Sequence, residues 1–295
     1  MSKGRISEWL ASEFFFHYKR DKAAVFGSIV IVFFLFTAVL GPALVPQNPY
    51  DLRSLELSDA FKPPAWLDDG DSRFLLGTDE QGRDMLSSIV YGTRISLFIG
   101  VSVMFMSCLL GTCVGLWAGY AGGRVDALLM RIVDVQLSFP AMLVALFIMS
   151  AFGRGVDKLL IALTLVGWVQ YARTVRSAVL VERGKEYVEA SRLIGLSPFL
   201  VVLRHVFPNV TTPLIVIATM QVGTVVLTEA TLSYLGVGVP VTEPSLGLLV
   251  KNGYDVLFSG IWWVSVLPGC FIMVLVFGIN LLGDFLRDEL NPKLK

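Results

Sequence analysis

Six stretches of this chain are apolar for long enough to cross a bilayer, and that limits what it can fold into more than any other feature. Residues 23–45 are uncharged over 23 positions, and about 20 apolar residues suffice for a helix to span the hydrocarbon core. Further runs follow at 95–120, 125–151, 159–181, 212–238 and 261–282. The expectation is an all-α polytopic membrane protein with six transmembrane helices. Composition agrees: 16% of residues are charged and 55% hydrophobic, where water-soluble domains are charged at about a quarter of positions. The 24 Lys and Arg are balanced by 24 Asp and Glu, so no net field draws nucleic acid.

Residues 1–22 mix Trp9, Leu10, Phe14, Phe15 and Phe16 with Lys3, Arg5, Lys19, Arg20 and Lys22, the combination of an interfacial helix with its aromatics toward lipid. Residues 23–45 form the first transmembrane helix. Their apolar core exceeds the about 7–15 residues of a signal peptide, and no convincing small-x-small site precedes Pro46, so the span is expected to be retained. Residues 46–94 form an extracytoplasmic loop whose cluster Asp68, Asp69 and Asp71 lacks the glycine and glutamate offsets of a calcium loop. Within it, Thr78 stands three before Gln81, a capping-box spacing that predicts a helix start.

Residues 95–284 make a five-helix core. Gly111, Gly115 and Gly119 recur every four residues in the second span and predict a flat stripe for helix packing. Arg131 and Asp134 are spaced to pair at i and i+3. Gln170, Arg173 and Arg176 make the fourth span weakly apolar, so it should sit against protein or snorkel. Thr212 and Pro213 predict the start of the fifth span, which carries Glu229 about 24 Å further along by helical rise. A carboxylate at that depth is expected to face the protein interior, in the translocation path or at a subunit interface, with Thr228, Thr231 and Ser233 as neighbours able to bond it. Residues 285–295 are a charged tail. Cys108, Cys113 and Cys270 lie in apolar runs, and His17 and His205 are far apart, so neither a disulfide framework nor a histidine metal site is indicated.

Topology follows from charge. Eight basic residues (Arg53, Lys62, Arg73, Arg83, Arg94, Arg154, Lys158 and Lys251) fall on one side and the other sixteen on the side of the termini. The Lys and Arg excess marks the inside. Both termini and the insert at 182–209 are therefore expected in the cytoplasm.

That insert is polar and helical. Tyr187, Ala190, Ser191 and Ile194 lie near one helical face, with Glu182, Glu186 and Glu189 beside it. Gly195 stops the helix by a positive φ. Ser197 and Pro198 form a cap and first-turn pair, 199–205 supply a second short helix, and Pro208 closes it. Glu189, Ala190, Ser191, Gly195, His205, Phe207 and Pro208 match the spacing of the EAA loop, and the insert resembles that loop in permeases of ABC importers. Ser191 stands for the second alanine, and His205 and Phe207 for aliphatic residues. The segments LGTDEQGRD (76–84) and TEATLSYLGVG (228–238) resemble motifs of the OppC/DppC branch, which serves oligopeptides, dipeptides or nickel-type solutes.

The resemblance implies a subunit that couples ATP hydrolysis on its partners to alternating access. Glu189, Ala190, Ser191, Gly195 and Pro208 would form a coupling helix seated on a cytoplasmic ATPase. The implied partners are a second, OppB/DppB-like permease, two ATPase domains carrying ATP and Mg, an extracytoplasmic binding protein and the bilayer of a bacterial inner membrane. An ordinary helical hairpin is the plainer alternative for the insert. No phosphate loop is present: the only Gly-Lys pair, Gly184-Lys185, is followed by Glu186, so the chain is not expected to hydrolyse ATP. Neither H-E-x-x-H nor G-x-S-x-G occurs, and no catalytic residue is assigned. A self-sufficient secondary transporter is the other function class, but it calls for coupling carboxylates in mid-membrane, and Glu229 alone is a candidate.

Overall fold

The computed structural model describes residues 13–290 apart from positions 50, 52 and 54. Among the described residues the regular structure is helical, with one isolated bridge between Thr78 and Asp84. Helix α1 (Glu13–Arg20) is the described part of the expected interfacial helix; residues 1–12 lie outside it. Two of its aromatics turn to protein, since Phe14 and Tyr18 each meet the Phe285 ring edge-on at 5.6 Å. Asp21 then caps α2 (Lys22–Leu44) by accepting from the amides of Ala23 and Ala24.

The long outer loop is folded and tied down. Trp263 Nε1 donates to the Thr78 carbonyl at 3.0 Å, and a buried Arg83–Asp79 pair closes at 2.6 Å. Lys62 and Arg73 grip Asp59 and Asp71 together, and these cations hold both carboxyls below the usual carboxylate range. Thr78 does not start a helix as its spacing suggested. Its hydroxyl donates to the Asp59 carbonyl and accepts from the Lys62 amide, locking the loop instead. The cap is Asp84, which accepts from the Ser87 amide at 2.8 Å and opens α3 (Met85–Ala121), before the apolar run at 95 begins.

Helix α3 is 37 residues long and is the axis of the molecule. Against it lies α6 (Val156–Glu182). The approach is close because of glycine: a Cβ on Gly111 would stand 2.4 Å from the Trp168 carbonyl oxygen, one on Gly115 2.6 Å from that of Ala172, and one on Gly119 2.8 Å from Val179 Cβ. Between these helices in sequence, the expected third span is two pieces, α4 (Gly123–Leu137) and α5 (Ala141–Phe152), bent by 84°. Pro140 explains the break, since it has no amide to donate and pushes Phe139 out of helical geometry. Helix α4 is held to α6 by two ion pairs, Arg176–Asp126 at 2.6 Å and Arg173–Asp134 at 2.7 Å. Asp134 thus pairs across the helices rather than with Arg131.

Helices α9 (Phe207–Tyr234), α10 (Leu246–Leu257) and α11 (Trp263–Glu289) complete the fold. Helix α10 lies within 239–260, a stretch with no helical expectation beyond an outer segment. It is capped by Ser245 and wedged tightly, with Gly247 against the Ala230 backbone and Gly253 against that of Ser265. Helix α2 packs on α11, where a Cβ on Gly27 would stand 2.8 Å from the Gly278 carbonyl oxygen.

Among the described residues four stretches are long and apolar enough to cross a membrane: α2, α3, the continuous stretch Pro198–Tyr234, and α11; the bent pair α4–α5 makes a fifth if it is one span. Helix α6 has the length, 27 residues, but carries Asp157, Lys158, Arg173, Arg176 and Glu182.

Candidate functional site

Helix α6 ends at Glu182, which is buried and belongs to a hinge rather than to the face of the helix that follows. Its carboxylate accepts from the Tyr187 hydroxyl and pairs with Lys185 at 2.7 Å. Burial and that carboxylate push Tyr187 up to about 12, so its hydroxyl stays a donor. Asn209 Nδ2 donates to the same hydroxyl at 3.2 Å and to the His205 carbonyl at 2.7 Å. One cluster therefore ties the two ends of the insert together.

Helix α7 (Glu186–Leu193) buries Val188 and Ser191, one turn apart; of the face named from the sequence, Ser191 is buried and Tyr187, Ala190 and Ile194 are exposed. Ser191 Oγ donates to the Tyr187 carbonyl at 2.7 Å, a bond that a small buried hydroxyl can make within its own helix. Val188 joins Val175, Val179, Val201, Val206 and Val210 in a valine core beneath the insert. Glu189 and Ala190 are exposed. Gly195 has φ +84°, and nothing lies within 4 Å of where its Cβ would be, so this glycine is required by the turn and not by space. Its amide donates to the Arg192 carbonyl and that of Leu196 to the Ser191 carbonyl, which closes the helix end.

Ser197 accepts from the Leu200 amide and opens α8 (Pro198–Val201), with Pro198 in the first turn. Two expectations fail beyond this point. Pro208 does not close the helix, and Thr212 with Pro213 does not start the next one. A single widened turn at Val202–Val206, in which the Phe207 amide reaches back five residues to the Val202 carbonyl, carries the helix into α9. Such a turn relieves the clash that the Pro208 ring would otherwise make one turn back. Pro198 to Tyr234 is therefore one helical rod of 37 residues, with Pro213 inside it.

Among the exposed charges Glu186, Glu189, Arg192 and Arg204, the insert presents an apolar patch at its tip. Leu193 is 87% exposed, Ile194 77% and Phe199 73%, with Leu200 and Leu203 beside them. Sequence reasoning also passed over Arg183, whose guanidinium donates to the Gly119 carbonyl at 2.7 Å and ties the insert's entry to the end of α3. A basic residue just past a helix was the available signal.

Glu229 is fully buried. Ser96 Oγ donates to one carboxyl oxygen at 2.8 Å and Ser233 Oγ to the other at 2.7 Å. Thr228 and Thr231 do not take part; they donate to the carbonyls of Thr224 and Leu227 in their own helix. The carboxyl is enclosed by residues of this chain. Among the described residues no group of three His, Cys, Asp or Glu could hold a metal ion.

Long apolar helices, a proline-broken span and a rigid polar insert welded to one span define a membrane subunit of a transporter. The chain belongs to the family of binding-protein-dependent transport system inner membrane components, whose family model matches residues 111–295. Residues 10–64 match the N-terminal TM domain of oligopeptide transport permease C. It is 39% identical over 284 residues to the di/tripeptide transport system permease protein DppC of Pseudomonas aeruginosa, covering 96% of this chain and 92% of that one. The dipeptide permease DppC of Escherichia coli K12 is 40% identical, covering 96% and 93%. The oligopeptide permease OppC of Bacillus subtilis is 36% identical, covering 100% and 93%. The fold is similar to that of an inward-facing methionine ABC transporter, MetNI, with a TM-score of 0.56 and 21% identity, over 70% of this chain and 98% of that one.

Proposed function

We propose that the chain is one of two related permeases in a bacterial importer of di- or oligopeptides, and that the insert is its contact with a cytoplasmic ATPase. The chain crosses the inner membrane six times, with both termini and the insert inside. A binding protein delivers the solute outside, and ATP and Mg bind the partner ATPases. The names of the relatives support the peptide class. The observation that carries the coupling role is the apolar surface of Leu193, Ile194 and Phe199 on a segment whose second half is one rod with α9. Exposed apolar surface of this kind marks a protein contact, and a rod transmits displacement without a joint. In this account Gly195 sets the turn that presents the apolar tip. Ser191 seats α7 on the valine core, Glu189 and Ala190 form its outward face, and Pro208 lies inside the rod, just past the widened turn.

Closure of the ATPases on ATP would then move the inner end of α9 and tilt the path between its two openings. Leu193→Asp and Phe199→Asp test this. Interface anchors of this type contribute about 2 kcal/mol or more each, so each change should cost about 30-fold in affinity for the ATPase. Capture of the ATPase by the tagged permease at wild-type strength would overturn the coupling role.

A further inference from the structure

A groove of about 610 Å³ opens between α6, α9 and the break that joins α4 to α5. That is within the about 300–1,000 Å³ of small-molecule sites. Its walls are more polar than those of three other grooves on these helices, where Gln136 in one, Thr219 in another and Cys108, Thr112 and Thr211 in the third stand among aliphatic and aromatic residues. Gln221, Thr224, Thr228 and Thr231 recur along α9 at intervals of three and four, which places them in one stripe facing the groove. Gln170 of α6 faces them. No charged residue lines the groove.

The hydrogen bonds within the wall fix what it offers a ligand. Thr224, Thr228 and Thr231 each donate to a carbonyl four residues back, to Met220, Thr224 and Leu227. Their hydroxyl protons are committed, so they present lone pairs and act as acceptors. The side-chain amides of Gln170 and Gln221 make no hydrogen bond among the described residues, and each offers two donors and an acceptor.

We infer that this groove is the part of the translocation path that reads a peptide's main chain, its threonines accepting from backbone N–H groups and its two glutamines bonding backbone amides of either polarity. The inference rests on the peptide-importer reading above. A wall with neutral donors and acceptors and no charge suits a solute whose constant feature is the amide and whose side chains vary. It gives no preference for acidic or basic peptides. Three threonines and two amides also bind weakly enough to release, which a path requires and a storage site does not.

The test uses the complete importer in proteoliposomes, with [14C]dialanine and its N-methylated amide analogue as solutes. The wild type should import dialanine faster than the analogue, which lacks the amide proton. Losing one amide contact costs about fivefold to tenfold. Gln170→Leu with Gln221→Leu should therefore reduce dialanine import at least tenfold and narrow the preference over the analogue, of which the threonines, still able to accept from the amide N–H, keep a part. Import and preference at the wild-type level would overturn the inference. A second arm stands if the glutamine variants fail to assemble. Thr224→Cys and Thr228→Cys, with Cys108, Cys113 and Cys270 replaced by Ser, should react in the assembled importer with a charged, membrane-impermeant thiol reagent. Reaction with a lipid-soluble reagent only would make the groove a lipid face, and no reaction with either would make it a buried contact with the second permease; both overturn the inference. A wild-type importer that moves neither dialanine nor a longer alanine peptide refutes the peptide reading itself, while reactive cysteines would still mark an aqueous path.

Discussion

Gly195 offers a graded test of the insert, because its surroundings separate backbone strain from steric clash. Its φ is +84° and no atom lies within 4 Å of a built Cβ. Any loss on substitution therefore comes from the left-handed conformation alone. That conformation costs an L-residue about 1–2 kcal/mol, least for Asn, with β-branched residues at the high end. The expected order of damage is Asn, then Ala, then Val. At 1–2 kcal/mol the competent turn is depopulated about 5- to 30-fold, and binding of the ATPase weakens by the same factor at limiting concentration. The assay is a titration of purified ATPase against the detergent-solubilised permease pair, followed by uptake in vesicles. The three variants should rank as stated in both, with melting temperatures near that of the wild type, since a side chain at 195 points into open space and leaves the valine core unchanged. Equal affinities for Gly195→Val and the wild type would refute the argument that this φ is required.

Gly115→Ala should lower the stability of the permease by about 1–3 kcal/mol through overpacking, because its Cβ would meet a backbone oxygen at 2.6 Å; Gly184→Ala, with open space, is the control, and equal melting of both would contradict the packing. Glu229→Leu should orphan the hydroxyls of Ser96 and Ser233, at about 1–3 kcal/mol for each left unsatisfied, whereas Glu229→Gln should melt close to the wild type; a stable Leu variant would show that the two bonds are dispensable. For topology, a cysteine at Asp69 should react with an impermeant reagent in intact cells and one at Lys185 should not, and the reverse pattern would sink the six-span arrangement.

How far the sequence was legible depended on the range of the interaction. Local rules worked at Gly195 and Ser197, where a positive φ and a cap act within a few residues. They failed where a distant partner competed. Thr78 had the spacing of a capping box, but the Asp59 carbonyl and the Lys62 amide claimed its hydroxyl. Asp134 had Arg131 one turn away and took Arg173 from another helix. Proline misled in both directions: Pro140 broke a span that hydropathy joined, while Pro208 and Pro213 lie inside a rod they were expected to delimit. The difference is the widened turn at Val202–Val206, which spacing cannot reveal. Glu229 was placed in the interior by the cost of a carboxyl in lipid. Its partner Ser96, 133 residues away, was beyond sequence reasoning.

The most direct measurement of the coupling account is a site-specific photo-crosslink. Benzoylphenylalanine at Phe199, 73% exposed on the insert, is compared with the same residue at Ile29, 62% exposed on α2. In the assembled importer, irradiation should join position 199 to the ATPase, and position 29 should give no ATPase adduct. Absence of the adduct at 199 in a complex that still imports solute would contradict the proposal that this insert carries the ATPase's motion into the membrane.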